Sequence, residues 1–367
     1  MKPALLLISL CSLAIPAGAQ PGRPTLRPAS DLSSLRTITI QLNGSRDPGL
    51  SPAQSAPNPG FAHSPFTHFE VLDERPDTAR IGVHGNLPMH SHFFDRQLIF
   101  SKPAHQEIAA WLNRHCTHPG ASSSVLVILR CLWLSDTDPY TPSPDQYSTF
   151  HAHNCADART HIRLKAEIYA RRNDQYLPLL RIDTLEPTRT VIYNPRAASY
   201  IGWEKDLAAM LRDLAENAAL AANPKEDGSR WISREDIRRF NLSRFDIPIF
   251  DSVALTRGVY TSFEEFRNNA PSIHDFEVRP NNGHLALYLR NGDGTSYYTH
   301  NVWGYCNGEE VFIMRDGLLH LLRKDGNSFY FYGIDIASVS NPPLNAFSGY
   351  PEQHCLYIID MDSGQFY

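Results

Sequence analysis

The run Ser124-Val-Leu-Val-Ile-Leu-Arg-Cys-Leu-Trp-Leu-Ser-Asp136 is the densest apolar stretch beyond the amino-terminal leader. Under strict alternation Val125, Val127, Leu129, Cys131 and Trp133 point to one side of a strand. Leu126, Ile128, Arg130, Leu132 and Leu134 then point to the other, and both sides are apolar except for Arg130. A strand hydrophobic on both sides belongs in the middle of a sheet. The run therefore predicts a central strand that carries one charge. It is too short to span a bilayer, which takes about 20 apolar residues.

Working outward, His161 to Ala170 alternates strictly. Ile162, Leu164, Ala166, Ile168 and Ala170 form one side, and His161, Arg163, Lys165, Glu167 and Tyr169 the other. That pattern predicts a strand with one buried and one solvated face. The polar turn Arg171 to Gln175 leads into Tyr176 to Thr184, so the two segments predict an antiparallel hairpin, with Pro178 marking an exposed edge or an irregularity. Upstream, strands are expected at Phe66–Leu72, Ala79–Val83 and Arg96–Phe100, and Thr37–Leu42 can add to a sheet edge.

Two amphipathic helices complete this region. In the first, Ser101 is the expected N-cap and Pro103 lies in the first turn, with Ile108, Trp111, Leu112 and His115 at helical spacing. The second runs from about Ser199 to Ala222, carries Leu207, Met210, Leu211, Leu214, Ala218 and Ala221 on one stripe, and ends at Asn223-Pro224. Helices against a sheet with one solvated face make a two-layer α/β sandwich with a mixed or antiparallel sheet over residues 61–225.

Residues 226–367 turn to β chemistry. A short helix is expected from Ser233, with Glu235 and Asp236 in its first turn, and another at Ser262 with Glu265 completing a capping box. Expected strands lie at Asp275–Arg279, His284–Arg290, Thr295–His300, Val311–Met314, Leu318–Arg323, Ser328–Tyr332 and Cys355–Ile359. Turns such as Asn291-Gly-Asp-Gly294, Asn307-Gly308 and Asp325-Gly326 separate them, which predicts an antiparallel meander. The fold class is α+β.

The chain has 367 residues, 42% hydrophobic and 20% charged, with a net charge of −5. That is globular composition at a length calling for two domains plus tails, without the basic footprint of a nucleic-acid binder. Residues 1–19 combine Lys2, an apolar run from Ala4 to Ile15 and the small residues Ala17-Gly18-Ala19, the pattern of a signal peptide cleaved before Gln20. Residues 20–60 are a Pro- and Ser-rich linker or tail, and no later segment is apolar enough to span a bilayer. A secreted or periplasmic protein is expected.

Six cysteines are present, of which Cys11 falls in the leader. In an oxidising compartment Cys306 and Cys355, the pair in the carboxyl-terminal half, are the first disulfide expected. Cys131, inside the apolar run, reads as a buried thiol, which leaves Cys116 with Cys155 as a weaker pair. All five as buried thiols is the alternative.

Several segments are candidates for chemistry. His151, His153 and Cys155 supply nitrogen and sulfur ligands on one face of an extended segment, as zinc requires, but without a second ligand pair at finger spacing. Exposed loop histidines are the alternative. Arg130, Arg163 and Lys165 on the polar sheet face form a platform for an anionic ligand, or an ordinary solvated face. Trp303 and Tyr305, with Tyr288, Tyr297 and Tyr298 near them, could line a sugar- or peptide-binding groove or fill the core of a small β domain. Asp360 to Gly364 resembles the start of a calcium loop but lacks its closing Glu, so it reads as a hairpin turn. Neither a Gly-x-Ser-x-Gly elbow nor a Gly-rich phosphate loop occurs, and no cofactor is expected.

The segments Val125–Asp136, Leu164–Arg171, Tyr176–Asp183, Gly258–Pro271 and Trp303–Gly308 together resemble secreted bacterial proteins of unassigned function. In order of elements the first half is also similar to small α/β domains of envelope-associated proteins. The resemblance implies export and brings no activity or site with it. The expectation is a non-enzymatic binding module with an envelope protein or cell-surface ligand as partner. The alternative is a secreted hydrolase or metalloprotein using His151–Cys155.

Overall fold

The structure is a computed structural model that describes residues 35–42, 64–84, 96–135, 156–192, 203–222, 231–252, 254–281, 284–315, 317–334 and 354–367. Its first sheet is built from β1 (Arg36–Ile40), β2 (Phe66–Asp73), β3 (Gly82–His84) and β4 (Arg96–Phe100), followed after α1 (Ala104–His115) by β5 (Ser123–Ser135), β6 (Ala156–Arg172) and β7 (Gln175–Ile192). After α2 (Trp203–Ala221), the two-residue β8 (Ile232–Ser233) pairs with the start of β7. The order is β1-β4-β3-β5-β6-β7-β8, with β2 also on β5.

The apolar run is the hub of this eight-stranded mixed sheet. Along one side of β5, β2 pairs parallel with its first half and β3 parallel with its end; along the other side β6 pairs antiparallel. Gly82 allows the close approach of β3, because a Cβ there would lie 2.0 Å from the Leu134 carbonyl oxygen. The hairpin of β6 and β7 turns through Asn173-Asp174, with Asn173 in the left-handed region that asparagine tolerates. Opposite Tyr169 its register shifts at Pro178, the irregularity expected of that proline. The edge strand expected near Thr37 is β1, parallel to β4.

Alternation fails at one residue, and the consequence reaches the whole face. Leu129 pairs with Ala166 and Cys131 with Lys165, so Arg130 is an extra residue, a β-bulge. Beyond the bulge the two sides exchange. Leu132 and Leu134 join Val125, Val127 and Leu129 in the main core with Ile162, Leu164, Ala166 and Ile168. Cys131 takes the side of Leu126 and Ile128, because it pairs with Lys165 on the face of Glu167.

Both helices pack into the main core: Ile108, Trp111 and Leu112 of α1, and Trp203, Leu207, Leu211, Leu214 and Ala218 of α2. The expected cap of α1 is different. The helix begins after Pro103 without a side-chain cap, and Ser101 instead donates to the buried Glu107 carboxylate at 2.5 Å.

Further along come α3 (Arg234–Ser243), α4 (Pro248–Asp251), β9 (Gly258–Tyr260), α5 (Phe263–Arg267), β10 (Phe276–Asn281), β11 (His284–Arg290), β12 (Ser296–Thr299), β13 (Gly304–Cys306), β14 (Val311–Arg315), β15 (Leu318–Asp325), β16 (Ser328–Ile334) and β17 (His354–Ile359). Ser233 and Asp236 form a complete capping box on α3. At α5 the Ser262 side chain accepts from Glu265 N–H, while the Glu265 carboxylate turns to the Thr261 N–H and hydroxyl. The meander is divided. β10-β11-β12 form a three-stranded antiparallel sheet, and β17-β16-β15-β14-β13-β9 a six-stranded one. The strands β9 and β13 are short, each three residues long, and β13 lies in the segment whose spacing puts Trp303 and Tyr305 on one side of a strand.

Residues Leu35 to Tyr367 make one compact unit. Within it α3 and the turn after β17 lie on the face of the first sheet opposite the helices: Ile237 packs with Leu126, Ile128 and Tyr169, and Tyr367 meets Trp133 at 6.1 Å. Among the described residues no helix is long and apolar enough to cross a membrane.

Candidate functional site

The sheet face expected to be solvated is covered. Arg130, His161, Arg163, Lys165 and Glu167 are all buried. Sequence alternation assigned them to the polar side correctly, but it carries no information about what packs on that side from far along the chain. Burying charges demands partners, since an unpaired buried ion is strongly unfavourable.

The partners come from three elements. Within β6, Glu167 accepts from Arg130 Nη2 and from the Tyr169 hydroxyl, both at 2.9 Å. From β7, Asp183 reaches Arg163 at 2.7 Å and Lys165 at 3.3 Å. From the turn after β17, Asp360 Oδ2 takes a close hydrogen bond from Lys165 Nζ and lies 3.8 Å from Arg163 Nη2. That turn is tight: Asp360 Oδ1 accepts from Asp362 N–H, and Gly364 N–H donates to the Asp360 carbonyl at 2.7 Å. The Asp-x-Asp-Ser-Gly segment thus serves as a turn whose first carboxylate binds Lys165 across the interior.

Titration follows from these contacts. Burial alone would raise the Asp360 carboxyl, but the hydrogen bond and charge of Lys165, helped by Asp362 N–H and Ser363, outweigh it and hold Asp360 below its usual range. Burial likewise opposes Glu167 ionisation, and Arg130 and Tyr169 reverse the balance downward. Cys131 is pushed up to about 12 by burial, with Asp360 adding to the effect. Burial also drives the Tyr367 hydroxyl far above its ordinary value. A thiol held protonated is a poor nucleophile and a poor soft-metal ligand. The acidic groups of this face are fixed in ion pairs as charged forms.

A cavity of about 20 Å³ lies between the sheet, Arg244 and the turn after β17, lined by Arg130, Cys131, Lys165, Asp360 and Tyr367 among others. It has room for one water-sized occupant.

The other expected site residues fall elsewhere. Tyr305 is buried between Phe312, stacked at 4.9 Å, and Phe276 at 5.7 Å. Trp303 stacks on Phe266 at 4.2 Å. Both fill the core. Besides Phe240 of α3, 52% exposed, the exposed aromatics among the described residues include Tyr297 at 47% and Tyr298 at 45%, on opposite faces of β12. Tyr298 lies beside Tyr288, which carries Arg279 over its ring at 4.9 Å. β12 pairs with β11 alone among the described strands, and Ser296 to Tyr298 are exposed throughout.

Cys306 does not bridge to Cys355. It is a buried free thiol whose sulfur accepts from Gly308 N–H at 3.2 Å, and β14, β15 and β16 intervene between its strand and β17. Cys116 and Cys131 are also free and buried. His151, His153 and Cys155 lie outside the described residues. Among the described residues no group of three His, Cys, Asp or Glu side chains is arranged to hold a metal ion.

Comparison with models of known families, with curated proteins and with solved structures finds no match.

Proposed function

We propose that this chain is a non-enzymatic binding module, exported by its amino-terminal segment, that takes an extended peptide of an envelope partner along β12. The observation behind this reading is the exposed, uncharged edge strand Ser296–Thr299, with half-exposed tyrosines on both faces. Natural edge strands are commonly blunted by lysine, proline or a covering segment, and a bare one is a template for strand addition. The ring geometry favours a peptide over a sugar. Tyr288 and Tyr298 are inclined at 60°, and Tyr297 faces the other way, so they offer no flat stacking platform. An added strand would instead find backbone partners along β12 and one tyrosine against each of its faces.

The test is a display library of extended peptides against the purified mature chain, with hydrogen exchange followed at β12. The expected result is peptide binding that protects β12 amides and is lost when Tyr297→Lys and Tyr298→Lys are combined, with the melting temperature unchanged. Binding of cell-wall glycans in place of peptides would overturn the reading. So would stoichiometric zinc lost on His153→Ala, which would give precedence to a metalloprotein.

A further inference from the structure

On the covered face of the first sheet four buried cations each meet a carboxylate, but only two of those carboxylates are comparably buried. The side chains of Arg130, Lys165 and Arg163 are only 1%, 4% and 8% exposed, and that of Arg244 13%. Against these four cations stand two comparably buried carboxylates, Glu167 at 11% and Asp360 at 9%. The remaining partners, Asp183 at 42% and Asp362 at 25%, are open enough for water to screen much of their charge.

The imbalance coincides with unused donors. Arg130 gives one nitrogen, Nη2, to Glu167, while its buried Nε and Nη1 have no hydrogen-bond acceptor among the described residues. Arg244 binds Asp362 through Nη2, and its buried Nη1 is likewise without an acceptor. Both arginines line the cavity of about 20 Å³. Leaving buried donors unmet is costly, and arginine nitrogens can only donate, so what completes this site must accept. The carboxylates in the wall are already engaged. Asp360 is held by Lys165 and by Asp362 N–H, and Asp362 by Arg244.

We infer that this cavity is a binding site for a single monoatomic anion of the size of chloride, held by Arg130 and Arg244. A water molecule would accept from the arginines but would bring no negative charge to the two guanidinium groups, whose preferred acceptors are charged. Because β5 supplies Arg130 and the segment after α3 supplies Arg244, the ion ties the covering layer to the sheet.

Two measurements on the full mature chain decide the matter. Crystals equilibrated with bromide should show an anomalous peak between Arg130 and Arg244. The melting temperature should rise with chloride or bromide relative to gluconate at matched ionic strength, increasing with the logarithm of halide concentration above saturation, as specific binding to the folded state requires. Arg130→Gln should abolish the halide-specific rise; should that variant not fold, Arg244→Gln serves, because its side chain is nearer the surface. A bromide map without a peak in the cavity overturns the inference. Equal melting temperatures in chloride and gluconate overturn it, as does a halide-specific rise that survives the arginine substitution.

Discussion

Two sheets of this protein invert the usual distribution of residues. On the first, a row of charged side chains, Arg130, Arg163, Lys165 and Glu167, is buried under α3 and the turn after β17. On the three-stranded sheet, Tyr297 and Tyr298 stand about half exposed at an open edge. Buried charge costs desolvation and is retained only where partners are well placed. Exposed aromatic area forgoes burial that would stabilise the fold. The contrast teaches that the charged face is committed to internal structure, whereas the aromatic edge is available to a second molecule.

Three experiments probe that contrast. The largest effect is expected from Lys165→Met, which keeps the bulk of the side chain and removes its charge. Asp360 would then be buried opposite a methionine, with only Arg163, 3.8 Å from it, as a remaining cation. Removing one member of a buried pair typically costs about 3–5 kcal/mol, and urea denaturation reads such a loss directly. A variant as stable as the parent would mean that the charged face is wetter and less committed than the side-chain exposure of only 4% at Lys165 implies.

A smaller and graded effect is expected from acid. Asp360 and Glu167 have folded-state values below their ordinary 3.8 and 4.5. Carboxyls depressed by folding contribute stability that is complete above those ordinary values and fades as pH falls through the lower folded-state ones. Asp77, raised by burial against the pull of Arg80, works in the opposite sense and softens the slope. Urea midpoints should therefore fall gently below about pH 6.5, where His115, lowered by burial, resists protonation in the folded chain, and more steeply below about pH 5. In Lys165→Met the slope should be shallower, because the depression of Asp360 rests chiefly on that lysine. Parallel acid slopes in parent and variant would detach the pair from the pH response.

How far this was legible in sequence depended on the range of the interaction involved. Strand β5, the β6–β7 hairpin, the stripe on α2 and the acidic start of α3 arise from neighbours in the chain, and local pattern revealed them. The bulge at Arg130 was not legible, although a trace of it was present. Strict alternation puts Cys131 and Trp133 with Val125 and leaves Leu132 and Leu134 beside an arginine, while one extra residue at Arg130 restores an all-apolar helix-facing side. The covering of the charged face had no local signal at all. It joins Lys165 to Asp360 and Arg163 to Gln365 across 195 and 202 residues. The pairing of Cys306 with Cys355 failed for the same reason: counting cysteines does not reveal that three strands separate them.

The smallest effect on stability is expected at the aromatic edge, and its smallness is what gives it meaning. Tyr297 and Tyr298 each keep nearly half of their surface in water, and the hydrogen bond from the Tyr298 hydroxyl to the Gly317 carbonyl is long at 3.4 Å. Substituting either by Ser should shift stability by no more than about 0.5 kcal/mol, the range of surface positions away from special features. A strand-adding surface predicts that such neutral changes nevertheless weaken peptide binding, since each tyrosine meets a different face of the incoming strand. If Tyr297→Ser alone destabilised the chain by several kcal/mol, the ring would be part of the framework of the three-stranded sheet. β12 would then be a structural edge, and the contrast between a committed face and an available one would disappear.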